Sequence, residues 1–569
     1  MKGGVEMRSL RLPAALAAVA LIATACSDEG GDGSSGGYPR NETLYTTGTA
    51  WSPPTNWNPI MRGQYAVGTF GLAYESLFHY DPEAGEYVHW LAESDEWTDE
   101  DTHVITLRSG MTWNDGEAID AEDVVATLEL GQMEVHYSNV WNYVESVEAT
   151  GDLEVTVDFS ETRPQEWMNW AYSTPIVPEH VWGEASQDEL TDNPNNDPVG
   201  SGPYVYENHA DDRMVWKRND DWWGIEALGL EMQPTYIVDI VNSSNEVTMN
   251  MLNGGEVDAS NNFLPGIDQV IDGQNVTSFY DGPPYMQSAN TAWLIFNHDR
   301  EPLNDPEFRK ALAHAINMDQ IIEGPYSNLV QAASPTGLLP QWDDFIDHEL
   351  VEEEGHRFDA DEAVSLLEEA GYTDEDGDGF VEDPDGEPIS LTLQVPSGWT
   401  DWMESASVIA DNARAVGINL ESATPDEDLL VTDRNEGDFD MVINNERQLS
   451  NTPWTYYDYL FQLPVRDQQT TANFGRYENE EAWELVEDFA AVPADDQEAA
   501  AEIAAQIQEI QLAEVPAIPL WYNGLWSQQT NGVWTNWPSE SGDPGYATMW
   551  HGWYELGSVD TLAQIQLAE

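Results

Sequence analysis

The chain is poor in basic residues: 19 Lys and Arg stand against 106 Asp and Glu, a formal charge of −87 at pH 7 over 569 residues. Beyond residue 25 only Lys217 and Lys310 remain as lysines. Charge of that sign repels the phosphate backbone, which speaks against nucleic acid as a partner. Cysteine occurs once, as Cys26. The 11 histidines form no His-x-x-x-His or comparable pair with metal-ligand spacing. A Gly-x-x-x-x-Gly-Lys phosphate loop is missing. No apolar run after residue 25 is long enough to cross a bilayer. Short internal repeats, the usual sign of an adhesive or structural role, are also missing.

What is there points to a folded, exported chain. Hydrophobic residues make up 41% of it, and the acids are dispersed rather than gathered in a tail. Such charge destabilises a compact state by self-repulsion unless ions screen it, so adaptation to high salt is expected. At the N-terminus, Arg8 and Arg11 frame the start of a short apolar stretch over 12–22, followed by Ala23, Thr24, Ala25 and Cys26. A cationic start, a short apolar segment and small residues before the cut are the parts of an export signal. The Ile-Ala-Thr-Ala-Cys ending resembles the lipobox of bacterial lipoproteins, with Ala23 where leucine is usual. The resemblance implies cleavage before Cys26 and lipidation of its thiol. The expectation is a signal peptide over 1–25 and a flexible Gly/Ser/Asp-rich tether over 26–40. The remaining length suffices for two or more domains.

Residues 102–108 and 153–159 alternate like half-buried strands, with a helix opened by Asp120 between them. Asn304-Asp305-Pro306 is a helix start, a capping side chain before an N1 proline. A strand at 390–395, a helix at 403–416 closed by Gly417, and strands near 418–421 and 439–443 suggest a parallel sheet with helices on its faces. A helix pair lies around 479–513.

Five ordered segments carry a family resemblance. They are Gly71 to Phe78, Leu107 to Val124 with its Trp113-Asn-Asp115-Gly116 turn, Pro198 to Tyr204, Asn297 to Ile322, and Ala517 to Tyr522. Together they resemble the large extracytoplasmic solute-binding proteins of ABC importers, family 5, the oligopeptide- and dipeptide-binding type. The resemblance implies an α/β, two-lobed periplasmic-binding-protein fold of the large three-domain type, with a hinge and an interlobe ligand cleft. Lobe one is then expected over 41–290, with an inserted domain at about 85–200. Lobe two is expected over 291–522, and 523–569 returns to lobe one. The implied protein is not an enzyme. It is a monomeric receptor, extracytoplasmic and held on the outer face of the cell membrane by lipid alone. It captures a small-molecule ligand and delivers it to the transmembrane subunits of a permease.

The peptide-binding branch carries an aspartate soon after the strand that corresponds to 439–443. Here that stretch holds Asn445, Glu446, Gln448, Ser450 and Asn451 before Pro453 and Trp454, with no aspartate beside the Pro-Trp. Glu446 could take the aspartate's part. The chain also has 24 tryptophans and 23 tyrosines. Aromatic faces stack on sugar rings, and amides bond hydroxyls. The segments Trp51 to Pro59 and Gly398 to Trp402 resemble the cello-oligosaccharide-binding branch. An oligosaccharide of the cello-, xylo- or manno- class is therefore expected, with a peptide as the alternative and a secreted glycoside hydrolase as a distant one. The expected ligand contacts are Trp57, Trp293, Trp399, Trp454, Trp521 and Tyr522, with Asn445, Gln448 and Asn451 as polar readers. For any single tryptophan, plain packing is the competing role.

No cofactor is required. One acidic loop, 374–385, has calcium-loop spacing: Asp374, Asp376 and Asp378 at positions 1, 3 and 5, Gly379 at 6, the Phe380 carbonyl at 7, Glu382 at 9 and Asp385 at 12. A strand rather than a helix is expected after it, so a structural calcium would sit in a lone loop. The competing reading is a solvated acidic turn.

Overall fold

Alternation of apolar and polar residues builds the first sheet as the sequence predicts. Thr102–Leu107 and Glu154–Phe159 pair antiparallel, with Ala92–Asp99 and Val144–Gly151 on the outer edges. In the computed structural model of the chain, residues 37–61, 65–82, 85–271, 276–445, 447, 449–493, 496–542 and 558–568 are described. The expected signal peptide, Cys26 and the tether up to residue 36 lie outside them, as do Glu446 and Gln448. Residues from Pro39 onward form one compact unit.

Two further sheets organise that unit. The larger has seven strands, in the order Val276–Ser278, Gln528–Thr530, Ala259–Ser260, Thr43–Thr47, Tyr236–Ile240, Arg213–Arg218, Tyr204–Ala210. It gathers segments from the start, middle and end of the chain. The second has five strands, in the order Leu420–Ala423, Leu391–Gln394, Met441–Asn444, Met286–Phe296, Ala517–Trp526. Its first three are parallel, as the strand–helix–strand spacing predicts. The two sheets are the cores of two α/β lobes, and the four-stranded sheet is inserted within the first.

The long strands Met286–Phe296 and Ala517–Trp526 pair antiparallel along most of their length, with irregularities at Ser288/Asn290 and Ala292/Trp293. These two segments are also where the chain passes between the lobes.

Local capping explains the helix boundaries. Asp305 accepts the Glu307 N–H at 3.0 Å before Pro306–Ala315, as expected. The helix Thr400–Ala415 starts three residues earlier than its apolar pattern suggests, directly after Trp399. Asp120 and Asp123 form a reciprocal capping box on Ala121–Leu130. Asp123 is buried and also takes the Trp113 indole N–H at 3.2 Å and the Glu179 N–H at 2.8 Å. The Trp113–Gly116 turn therefore locks the inserted sheet. Asn114 completes that lock by bonding the Gly200 and Pro198 carbonyls.

Candidate functional site

In sheets with parallel strands, ligands bind beyond the carboxyl ends. In lobe one, Thr43–Thr47, Tyr236–Ile240 and Ala259–Ser260 run parallel. The loops that leave their ends are 48–56, 241–244 and 261–264. In lobe two, Leu391–Gln394, Leu420–Ala423 and Met441–Asn444 are followed by loops 395–399, 424–426 and 445–453. The two sets of loops meet.

The meeting is close. Gly398 has φ +90°, and a Cβ there would lie 2.6 Å from the Ser243 carbonyl oxygen, so only glycine permits this approach. The Asn245 amide donates to Asp401 Oδ1 at 2.7 Å, and Asn262 donates to Asn245 Oδ1 at 2.9 Å. Burial pushes the Asp401 carboxyl up to about 6, against the pull of Tyr326 and Asn245. The Trp51 and Trp399 rings face each other across the boundary, centroids 5.2 Å apart and tilted by 46°. Beside them a cavity of about 170 Å³ is walled by loop 49–56, Tyr65, Val67 and Met214 from lobe one and by Glu427 and Asp428 from lobe two. Several polar atoms near the boundary are buried without a protein partner: Trp399 Nε1, Thr400 Oγ1, Gln394 Oε1, Asn242 Nδ2 and Asn444 Nδ2. Such atoms are rare unless water or ligand satisfies them. The zone is thus aromatic and amide-rich, with the carboxylates of Asp401, Glu427 and Asp428 beside the amides.

The predicted contact residues do not gather in one place. Trp399 is half-buried at the lobe boundary. Asn451 accepts from the Tyr87 hydroxyl at 2.7 Å, and Trp454 opens the helix Trp454–Phe461, its indole N–H unpartnered. Asn445 lies at the end of its strand and donates to Asn290 Oδ1 at 3.0 Å. The others are packed. Trp57 is fully buried in lobe one, its N–H on Met214 Sδ at 3.2 Å. Trp521 is fully buried between Tyr326 and Trp402. Trp293 is buried against Tyr456 and over Gly337, where a Cβ would come within 2.0 Å of the indole. Tyr522 is buried and bonded, its hydroxyl donating to the Leu338 carbonyl at 2.8 Å and accepting the Ser334 N–H at 2.9 Å. Sequence reasoning passed over Trp51 and the asparagines at 242, 245, 261 and 262. Trp51 stands six residues before Trp57 in the same segment, and the asparagines all follow parallel strand ends.

The acidic loop forms a tight hairpin. Asp374 accepts the N–H groups of Gly377 and Gly379 at 2.7 and 3.0 Å, and Asp378 accepts that of Phe380 at 2.8 Å. One carboxylate oxygen from each of Asp374, Asp376, Asp378 and Glu382 lies within 4.8 Å of the others. Asp385 is not in that cluster. It belongs to the next turn, where Asp383 accepts its N–H at 2.9 Å.

Residues 86–465 match the family described as bacterial extracellular solute-binding proteins, family 5 Middle. An oligopeptide-binding protein of an ABC transporter from Thermotoga maritima, solved with mannohexaose bound, is 40% identical, with a TM-score of 0.90 over 94% of this chain and 100% of that one. The oligopeptide-binding protein AppA from Bacillus subtilis, solved with a nonapeptide, shares the fold at 20% identity and a TM-score of 0.77, over 93% of this chain and 99% of that one. A probable peptide-binding protein, YejA, from Agrobacterium fabrum is 24% identical over 82% of both chains.

Proposed function

The chain belongs to the family 5 bacterial extracellular solute-binding proteins, and we propose that its ligand is an oligosaccharide of the cello-, xylo- or manno- class. It is the extracytoplasmic substrate-binding protein of an ABC importer, and it is not an enzyme. The observation that carries the sugar reading is the Trp51–Trp399 pair at the lobe boundary, set among amides whose buried polar atoms await partners. Indole faces stack on the C–H faces of pyranose rings, and amides both donate to and accept from hydroxyls. The mannohexaose held by the Thermotoga maritima relative supports it. An oligopeptide is the second reading, favoured by Glu427 and Asp428 on the cavity wall, which suit a ligand's amino terminus.

The lobes close on the ligand about the paired strands Met286–Phe296 and Ala517–Trp526. Cys26 carries the lipid that anchors the receptor, the acidic surface adapts it to high salt, and the 374–385 loop holds a structural calcium through Asp374, Asp376, Asp378 and Glu382. A thermal-shift screen across cello-, xylo- and manno-oligosaccharides and di- to pentapeptides tests the ligand class, because a ligand that binds only the folded state raises its melting point. A rise with sugars alone supports the reading. A rise with peptides alone replaces it with the second.

A further inference from the structure

A second cavity, of about 230 Å³, lies where the inserted domain meets lobe two. One wall comes from the helical turn Ser138–Asn142 and the helix Pro164–Ser173, the other from the helix Trp454–Phe461 and the loop that follows it. Four residues on these walls carry a buried polar atom with no partner: Tyr143 OH, Arg163 Nε, Trp170 Nε1 and Trp454 Nε1. All four atoms are donors. Each unmet donor costs on the order of 1–3 kcal/mol, so four around one small cavity are held against a substantial penalty. Charged side chains of both signs gather here, and Arg163 is paired with Glu166 and Glu487 at 3.4 and 3.1 Å. Arg163, Arg447 and Arg466 all line the cavity, in a chain with only 19 Lys and Arg.

One loop of the candidate cleft leads along the chain to the cavity wall. Segment 445–453 starts at the end of strand Met441–Asn444 and delivers Trp454 to the cavity wall. We propose that this cavity is a subsite for one pyranose ring at an end of the captured oligosaccharide. Its hydroxyl and ring oxygens accept from these unmet donors. The inference rests on the oligosaccharide reading and adds where the chain ends. Each sugar oxygen has lone pairs to meet an N–H or O–H, and each hydroxyl has a proton for Glu166 or Asp458, whose carboxyls also line the space. A space of about 230 Å³ has room for one ring.

The test is calorimetric titration of the full chain with manno- and cello-oligosaccharides of two to six rings. Tyr143→Phe removes one oxygen and keeps the ring. Trp170→Phe removes the N–H and keeps an aromatic in the stack on Trp167 (centroids 4.9 Å). The expected result is a step in wild-type affinity at one chain length that both variants lose, by about tenfold for each donor. Shorter ligands bind all three proteins alike. Should Trp170→Phe unfold the protein, Tyr143→Phe alone carries the test. Variants that track the wild type at every length, or a wild type without a length step, overturn the subsite and leave the oligosaccharide reading standing. A wild type that binds no sugar of any length overturns both.

Discussion

Replacing Trp399 by Ala separates a ligand-stacking ring from a packed one. Trp399 is half-buried, and its side chain makes no cap bond to the helix that follows. Its neighbours are Trp51 at 5.2 Å across the lobe boundary and Trp402 at 4.8 Å on its own lobe. Losing those ring contacts costs the fold about 1 kcal/mol. Losing a stacking face for sugar costs binding on the order of 2 kcal/mol, about thirtyfold in Kd. Trp51→Ala has the same expected direction. Because the two rings touch each other, the double variant loses about 1 kcal/mol less than the sum of the single losses. Calorimetry with mannohexaose measures all three. Trp521→Ala is the contrast: that ring is fully buried, so truncation costs the fold about 3–5 kcal/mol. A folded Trp399→Ala protein that binds within twofold of wild type would refute the reasoning.

Stability should fall as pH rises from about 4.5 to above 7. Glu75 is buried between the Trp90 and Trp223 indoles, each donating at 2.9 Å, and burial pushes its carboxyl up to about 7. The folded state holds that proton more tightly than the unfolded chain, so Glu75 contributes fully below about 4.5 and loses roughly 3 kcal/mol through 7. Denaturation at fixed salt should show this slope, Glu75→Gln should reduce it by Glu75's share while Asp239 and Asp401 keep the remainder, and a slope unchanged by the substitution rejects the assignment. For the acidic loop, metal analysis after dialysis against calcium should find one equivalent, lost when Asp376 and Asp378 become Asn. Metal-free wild type at millimolar calcium counts against the site. Cys26→Ala should move the protein from the membrane fraction to the medium, and a wild type already soluble with its original N-terminus would end the lipid-anchor reading.

The motifs that identify this chain proved easier to read than the residues that define its specificity. The Trp113–Gly116 turn, the Gly200–Gly202 approach and the capped Pro306–Ala315 helix are local devices, fixed by short-range rules. At Gly200 and Gly202 a Cβ would lie 2.0 and 2.1 Å from the Ala73 and Leu72 carbonyls, so this part of the signature describes backbone packing. The parallel strands of lobe two were equally visible, because their apolar runs alternate with an amphipathic helix. The cleft was harder. It is assembled from strand-end loops and helix starts about 150 residues apart, such as the helix starts holding Asn245 and Asp401, and no periodicity links them. Tryptophan count does not by itself single out the cleft, for a physical reason. Trp57, Trp293 and Trp521 are fully buried, as are Trp113, Trp167, Trp182, Trp216, Trp342 and Trp534, so a large share of that aromatic surface fills the core. Seen along the chain, a ring that stacks on ligand and one that stacks on its neighbours look alike.

The few cations show how the charge is managed. Arg309 is fully buried, and its guanidinium donates to the carbonyls of Leu303, Glu514 and Val515, the last two at the end of helix Gln497–Glu514. Arg476 does the same for helix Glu427–Glu436, bonding the Arg434 and Asn435 carbonyls. Arg40 reaches buried Asp258 through two bonds of 2.6 and 2.7 Å. These arginines satisfy orphan carbonyls at helix ends or a buried acid, and are not spent on neutralising the surface. Most surface carboxylates are therefore left to the solvent's ions. The range of their repulsion shrinks from about 10 Å in 0.1 M salt to about 3 Å in 1 M. The melting point should accordingly climb steeply with potassium chloride between 0.1 and 2 M. Glycerol, which adds no ions, should fail to reproduce the climb. A melting point that stays flat over that range would mean the surface tolerates its own charge, and the salt-adaptation reading would fall.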